Sequence, residues 1–315
     1  MKKVVMIRRT GLGDFIAGMV PICNLLQKVY GEVDFYFFMN NRNAQIVKYF
    51  FPKAHIYEWT SGNRYIQAVK LALKYRKIKP DMGISPAPDS PKLNNLFLFL
   101  IGAKERYARV NQKILSNVFV NHPLKMDDKI MKTMHVGLVS LKVFDNNIKS
   151  LETKYMPKIN KNIVETYSTS LKGPFIMVEV SNNRITSQLT NDKMAEILNA
   201  LFGYKSFSVL ITSKVDDMEK AKNLKNLLFM PSEIFVNPSI HRFIAFVNKA
   251  DVVLCGDGGL GHIAGALDKK VVAVYGRTLV KRWAVLGDRV IHIYDPEDVN
   301  NIDNKKIITA LAKCL

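Results

Sequence analysis

Short apolar, β-rich runs alternate with helical patterns along this chain, in two separate series. In the first series, residues 3–7, 33–39, 54–59 and 81–85 read as strands, and 14–30, 42–50 and 64–77 as helices. Strand, helix and strand at this rhythm predict βαβ units, because neighbouring parallel strands need a long crossover and a helix is its usual form. The second series places strands at 175–180, 207–212, 251–255 and 270–275, with helices at 191–202, 216–227, 240–248, 258–267 and 303–315. Between the series lies 149–172, polar, rich in Lys and Asn, and short of large apolar residues after Met156. It is the expected tether, giving two Rossmann-like domains, 1–160 and 161–315. Pro21 falls inside the first helix. Apolar spacing continues through Ile22, Leu25 and Leu26, so the proline is expected to bend the helix rather than end it.

Composition narrows the class. Of 315 residues 48% are hydrophobic, and 46 Lys and Arg stand against 27 Asp and Glu, a net charge of +19. With a mean hydropathy near zero, this is not a disordered basic tail, which lacks the apolar surface to offset ordering entropy. The densest apolar stretch, 96–101, is far short of the ~20 residues that a spanning helix needs. The apolar run 4–7 stops at Arg8-Arg9, too early for a secretory signal. Cys23, Cys255 and Cys314 are odd in number and far apart, which fits neither a disulfide framework nor a zinc site. A cytoplasmic protein is expected. Its charge is uneven: residues 1–160 carry a net +15 and 161–315 a net +4.

In doubly wound sheets, ligands sit beyond the carboxyl ends of strands, where loops open the next helix. Two glycine-rich loops fall at such places. Arg8-Arg9-Thr10-Gly11-Leu12-Gly13-Asp14 follows the first strand; its G-x-G lacks the third glycine of a dinucleotide fingerprint, and Asp14 also reads as a helix N-cap. Gly256-Asp257-Gly258-Gly259-Leu260-Gly261-His262 joins a strand to a helix of small residues. Four glycines there suit a pyrophosphate held by backbone N–H groups, with Asp257 free to accept from sugar hydroxyls. His262 also reads as an ordinary histidine on a first helical turn.

Taken together, three stretches resemble glycosyltransferase family 9, the ADP-heptose:lipopolysaccharide heptosyltransferases. Residues 7–25 (IRRTGLGDFIAGMVPICNL) resemble the family's opening strand, loop and Pro-containing helix. Residues 254–278 (LCGDGGLGHIAGALDKKVVAVYGRT) resemble its donor-binding signature, the most specific match in the chain. Residues 180–194 form a weaker third match. The resemblance implies an α/β GT-B-type fold, two Rossmann-like domains facing across a cleft, the first binding acceptor and the second nucleotide sugar. It places Asp14 on the catalytic base, with Thr10, Gly11 and Gly13 lining the site. It places Asp257 on the residue that holds the donor sugar, Gly258 and Gly259 on backbone donors to the diphosphate, His262 on the family histidine, and Arg184 on a basic position.

The family commonly carries Lys-x-Trp in the third stretch, its Lys reaching the donor phosphates; here Ser187 and Leu189 stand there, and Arg277 replaces the usual Pro. A cation lost at the leaving group costs several kcal/mol of transition-state stabilisation unless another substitutes. Arg184, Arg277, Lys281 and Arg282 are the candidates, though each also reads as solvated surface charge. The implied reaction is an inverting transfer without an obligatory metal or other cofactor. The implied partners are ADP-heptose, an anionic glycolipid acceptor and, peripherally, the cytoplasmic face of the inner membrane. A basic first domain would attract the last two. The helix pattern after Arg64, with basic residues from Lys70 onward, and the Pro-rich 85–91 are candidate contacts; an ordinary amphipathic helix and a stiff connector are equally good readings. High charge also suggests nucleic acid, but no binding module or aromatic–basic pattern accompanies it, so specific nucleic-acid binding is not expected. Other nucleotide sugars, or donor binding without catalysis, are the remaining alternatives.

Overall fold

A strand buried on both faces needs apolar side chains at every position, and Val4-Val5-Met6-Ile7 supply them; all four are completely buried. They form the middle of β1 (Lys2–Arg8), the central strand of a parallel sheet. The computed structural model describes every residue except 9–10, 60–61, 87–90, 111–114, 183 and 237–238. The chain divides into two compact units, Met1–Pro157 and Lys158–Leu315.

In the first unit, β1 lies between β2 (Val33–Met39) and β4 (Met82–Ser85). Outside them lie β3 (His55–Glu58) on one side, and β5 (Glu105–Val110) and β6 (His122–Lys125) on the other, in the order β3-β2-β1-β4-β5-β6. Phe38, Phe97, Tyr57, Tyr75 and Trp59 pack together on one face. In the second unit, β7 (Phe175–Glu179) takes the central place. β8 (Ser208–Ser213) and β9 (Ser232–Val236) lie to one side, and β10 (Val252–Cys255), β11 (Lys270–Gly276) and β12 (Val290–Asp295) to the other. Counted from its own first strand, the second sheet has the same order as the first. Both are the doubly wound Rossmann arrangement, so the α/β expectation of two such units holds.

Strands β5, β6, β9 and β12 escape the sequence pattern: polar and charged residues break up β5, β6 and β12, and β9 carries only the short apolar run Ile234-Phe235-Val236. Pro21 acts earlier than its own position. It has no N–H for the Ala17 carbonyl, and the helix answers with a π turn, Phe15–Met19, before α-helix resumes at Val20–Tyr30. Gly137, on helix Val136–Phe144, comes close to that carbonyl: an added Cβ would stand 2.7 Å from Ala17 O.

The polar stretch 149–172 is not loose. Its first part belongs to the first unit, where Tyr155 packs with Leu25 and Leu141 and Asn24 Nδ2 donates to the carbonyls of Tyr155 and Met156 at 3.3 and 3.1 Å. Its later part belongs to the second, where Ile159 N donates to Ala266 O at 2.8 Å and Thr169 Oγ1 to Glu233 at 2.7 Å.

Helix Gly259–Ala266 lies over β10 and β11 through small residues, which bring its backbone close to the 285–287 segment. A Cβ on Gly265 would overlap Leu286 O and stand 2.9 Å from Val285 Cγ1. Gly265→Ala is therefore expected to destabilise the protein by about 1–3 kcal/mol, read as a lower urea midpoint by circular dichroism.

Candidate active site

In each sheet the strand order reverses beside the central strand, between β1 and β4 in the first unit and between β7 and β10 in the second. Loops at these points diverge to opposite faces and leave room for a ligand. Both glycine-rich loops sit there, one after β1 and the other after β10.

After β1, Arg9 and Thr10 lie outside the described residues. Gly11 is the N-cap of a helical turn, Leu12–Asp14, with Gly13 inside it. Asp14 is thus not the cap; it is the third residue of the turn. Its carboxylate turns back toward the loop, with Oδ2 3.6 Å from where a Cβ on Gly11 would stand. The next residue, Phe15, is fully buried and meets Phe37 and Phe50 edge to face, each at 6.0 Å between centroids. This apolar anchor fixes the turn and leaves part-buried Asp14 beyond the carboxyl end of β1. Other polar groups gather at the carboxyl ends of β4 and β5. Asn94 Nδ2 donates to Ser85 Oγ at 3.0 Å, and buried Arg109 pairs with Asp128 at 2.5 Å. Residues 87–90 of the Pro-rich loop lie outside the described residues.

After β10, Asp257 is 8% exposed. A buried carboxylate must be paired or protonated, and Asp257 is paired. Its Oδ2 accepts from the Arg184 guanidinium and from Thr278 Oγ1, the latter at 2.9 Å. Arg184 also reaches Thr278 Oγ1 at 3.4 Å. The Arg184 side chain is half exposed, so a guanidinium with five N–H groups keeps donors facing outward. Asn182 organises the loop around this pair: its Nδ2 donates to Asp257 O at 3.2 Å and Ser187 O at 3.3 Å, while its Oδ1 accepts from Arg184 N at 3.0 Å. Gly258 is the N-cap of helix Gly259–Ala266, which opens with unpaired backbone N–H groups, as every helix does.

The remaining nominated residues divide. His262 is buried on the first turn of that helix. Ser187 is fully buried with Oγ 3.3 Å from Gly276 O, and Leu189 is in the core. Arg277 and Lys281 are exposed, and Arg282 lies over the Trp283 ring at 5.5 Å. Of the four candidate cations, Arg184 is the one paired with Asp257. Helix Arg64–Tyr75 buries Ala68 and Ala72 and exposes Ile66, Lys70 and Leu73. Among the described residues no helix is long and apolar enough to cross a membrane.

Three residues were not singled out from the sequence: Asn182, Thr278 and Glu179. Glu179 carried a signal, a lone acid ending a buried parallel strand. Its carboxyl faces the glycine loop, with Oε2 3.7 Å from where a Cβ on Gly258 would stand. Burial pushes its pKa up to about 7; Asp217 adds to the rise and Lys214 opposes it. Burial also raises the neighbouring Cys255 thiol, and Glu179 adds to that.

Comparison with known proteins bears on this arrangement. The model of glycosyltransferase family 9 (heptosyltransferase) matches residues 142–310, more than half of the chain. No curated protein matches by sequence. The fold matches a glycosyl transferase family 9 protein from Veillonella parvula at TM-score 0.83 and 14% identity, over 99% of this chain and 97% of that one. It matches E. coli ADP-heptose lps heptosyltransferase II at TM-score 0.78 and 15% identity, over 100% and 98%. It also matches an E. coli heptosyltransferase solved with ADP, at TM-score 0.76 and 14% identity, over 99% and 100%.

The Glu179 carboxyl gives a stability test. An acid whose folded pKa is raised keeps its proton while the unfolded chain has already lost it. Folding is therefore penalised progressively as the pH rises from 4.5 to about 7, and by a constant amount above. Relative to Glu179→Gln, the wild-type protein is expected to lose a few kcal/mol, on the order of 2–3, across that window. Urea midpoints measured at successive pH values would show the two curves separating; parallel curves would contradict it.

Proposed function

The chain belongs to glycosyltransferase family 9, and from that premise we propose that it transfers a heptose, or a related sugar, from ADP-heptose to an inner-core lipopolysaccharide acceptor. The second unit is read as the donor domain and the first as the acceptor domain. The observation that carries this is the Arg184–Asp257–Thr278 cluster at the mouth of helix Gly259–Ala266. It joins a carboxylate, a guanidinium fork and the N–H groups of a helix opening, a set that suits a sugar diphosphate. That a related fold was solved with ADP supports the nucleotide.

In this mechanism the acceptor hydroxyl attacks the anomeric carbon from the face opposite the diphosphate. Asp14 takes the hydroxyl proton as the new C–O bond forms, and the bond to the diphosphate oxygen breaks, inverting the centre. The hydroxyl grows acidic only as the new bond forms, so an ordinary carboxylate is a competent base. The negative charge on the leaving diphosphate is met by the N–H groups of Gly258 and Gly259 and by Arg184, in the place of the family Lys. These groups supply the stabilisation that a metal provides elsewhere, and the proposed reaction uses none. The excess positive charge of residues 1–160 would draw in an acceptor rich in phosphates and carboxylates, and the anionic membrane face that carries it. We place the protein in the cytoplasm, peripheral to that face.

A thermal-shift panel of ADP-heptose, ADP, UDP-sugars and GDP-sugars tests the donor, and mass spectrometry of a heptose-deficient lipopolysaccharide acceptor tests transfer. Stabilisation by UDP-sugars alone would overturn the donor assignment, and binding without transfer would leave a non-catalytic relative. Asp14→Asn is expected to bind donor normally and to lower kcat by about 10²–10⁴; full activity would remove Asp14 from the mechanism. Arg184→Ala is expected to cost about 2–4 kcal/mol of transition-state stabilisation, seen in kcat/KM, with Arg184→Lys recovering part of it.

A further inference from the structure

Glu179 does not serve the packing of its own strand. The four residues before it in β7 are buried and apolar. Its backbone carbonyl accepts from Gln188 Nε2 at 3.0 Å, but its carboxyl takes no hydrogen bond among the described residues. This acid stands at the reversal point of the sheet, 3.7 Å from the Cβ position of Gly258, and faces the helix terminus that opens at that glycine. The groups bearing on it are Lys214 and Asp217 beyond β8 and the Cys255 thiol at the end of β10. The loop and helix over it add Asp257, already paired, and His262.

Two anions cannot share one helix terminus cheaply. An ionised Glu179 would repel a diphosphate arriving there, whereas a protonated one would offer it an O–H donor. We propose that Glu179 is a binding residue of the donor site that must carry its proton for a nucleoside diphosphate to rest on the N-terminus of helix Gly259–Ala266. Binding to the ionised protein then takes one proton from solvent onto a Glu179 oxygen, and no bond of the ligand breaks. Ionisation of Glu179 in turn favours release of the diphosphate product, which carries more negative charge than the esterified donor. This rests on reading the second unit as the donor domain.

The test is calorimetric titration of ADP into wild type, Glu179→Gln and Glu179→Ala between about pH 5.5 and 8.5. All three share the titration of ADP itself, so the ratio of wild-type to variant Kd isolates Glu179. That ratio is expected to stay flat below about pH 6 and to climb toward tenfold per pH unit above the carboxyl's own titration. Repeating the titrations in buffers of different ionisation enthalpy should show uptake approaching one extra proton by the wild type at the alkaline end, and none by the variants. A merely structural role would weaken binding equally at every pH, and parallel profiles overturn the proposal. If ADP binds none of the three, the nucleotide reading fails, and inorganic pyrophosphate, needing only the helix terminus, carries the same comparison. A climbing ratio with pyrophosphate sustains the role of Glu179 without ADP; a flat ratio, or no binding of either probe, overturns it. Thermal melts at each pH confirm that the variants are folded.

Discussion

The candidate donor site depends on backbone lying against backbone. A Cβ on Gly256 would overlap Ser187 O, and one on Gly276 would overlap Thr186 O. With both positions bare, the single 3₁₀ turn Ile185–Ser187 nests against the ends of β10 and β11. Ser187 Oγ fastens it there, reaching Gly276 O at 3.3 Å and Thr278 Oγ1 at 3.4 Å. Once this turn is seated, Asn182 and Arg184 are held close to it. Asn182 is drawn over the loop, and Arg184 is delivered to Asp257. Side chains separated by more than seventy positions meet because glycines at two strand ends remove the bulk that would hold them apart.

The same logic decides what could be read from sequence. Central strands were legible because burial on both faces leaves a continuous apolar run, and their loops were legible because helix openings at a reversal point favour glycine. β5, β6, β9 and β12 were not, since a short strand that mixes polar with apolar side chains resembles a loop, whether at an edge or, like β5, inside the sheet. Asp14 shows a subtler limit. An acid before an apolar helix has two good readings, and the cap was the more economical; the structure gives the cap to Gly11 and leaves the carboxylate to face the loop. The partnership of Arg184 with Asp257 was also beyond one sequence, because it depends on the nesting of the 3₁₀ turn and not on local spacing. Glu179 was visible all along as an acid in an apolar strand, but its meaning required knowing that β7 ends beside Gly258.

The two units share a strand order and differ in how they meet charge. In the second, net charge is modest and the proposed binding elements are backbone N–H groups, one guanidinium and two carboxyls. Such a site acts at short range and selects by geometry. In the first, basic side chains outnumber acidic ones by more than two to one across residues 1–160, and many stand exposed, as on the outward face of helix Arg64–Tyr75. Charge of that kind acts over about a Debye length, ~8–10 Å at physiological salt, and gathers polyanions with little regard to shape. A compact diphosphate suits the first kind of surface, and a bulky, multiply charged acceptor the second.

The placing of the cation carries a cost that bears on rate. A Lys reaching the phosphates from Ser187's position would be a dedicated point charge, but here that position is buried and fastens the turn. In the proposed mechanism Arg184 must instead satisfy Asp257 and meet the diphosphate at once. Its planar fork makes this feasible, since an N–H pointed at Asp257 leaves others directed elsewhere. Division of its charge weakens its pull on the leaving group, and an ionised Glu179 nearby would weaken the local positive field further. The site therefore gains from every neighbouring acid that stays neutral. With Asp257 committed as a paired anion, Glu179 is the group whose protonation state remains to decide how positive the helix mouth is when the diphosphate departs.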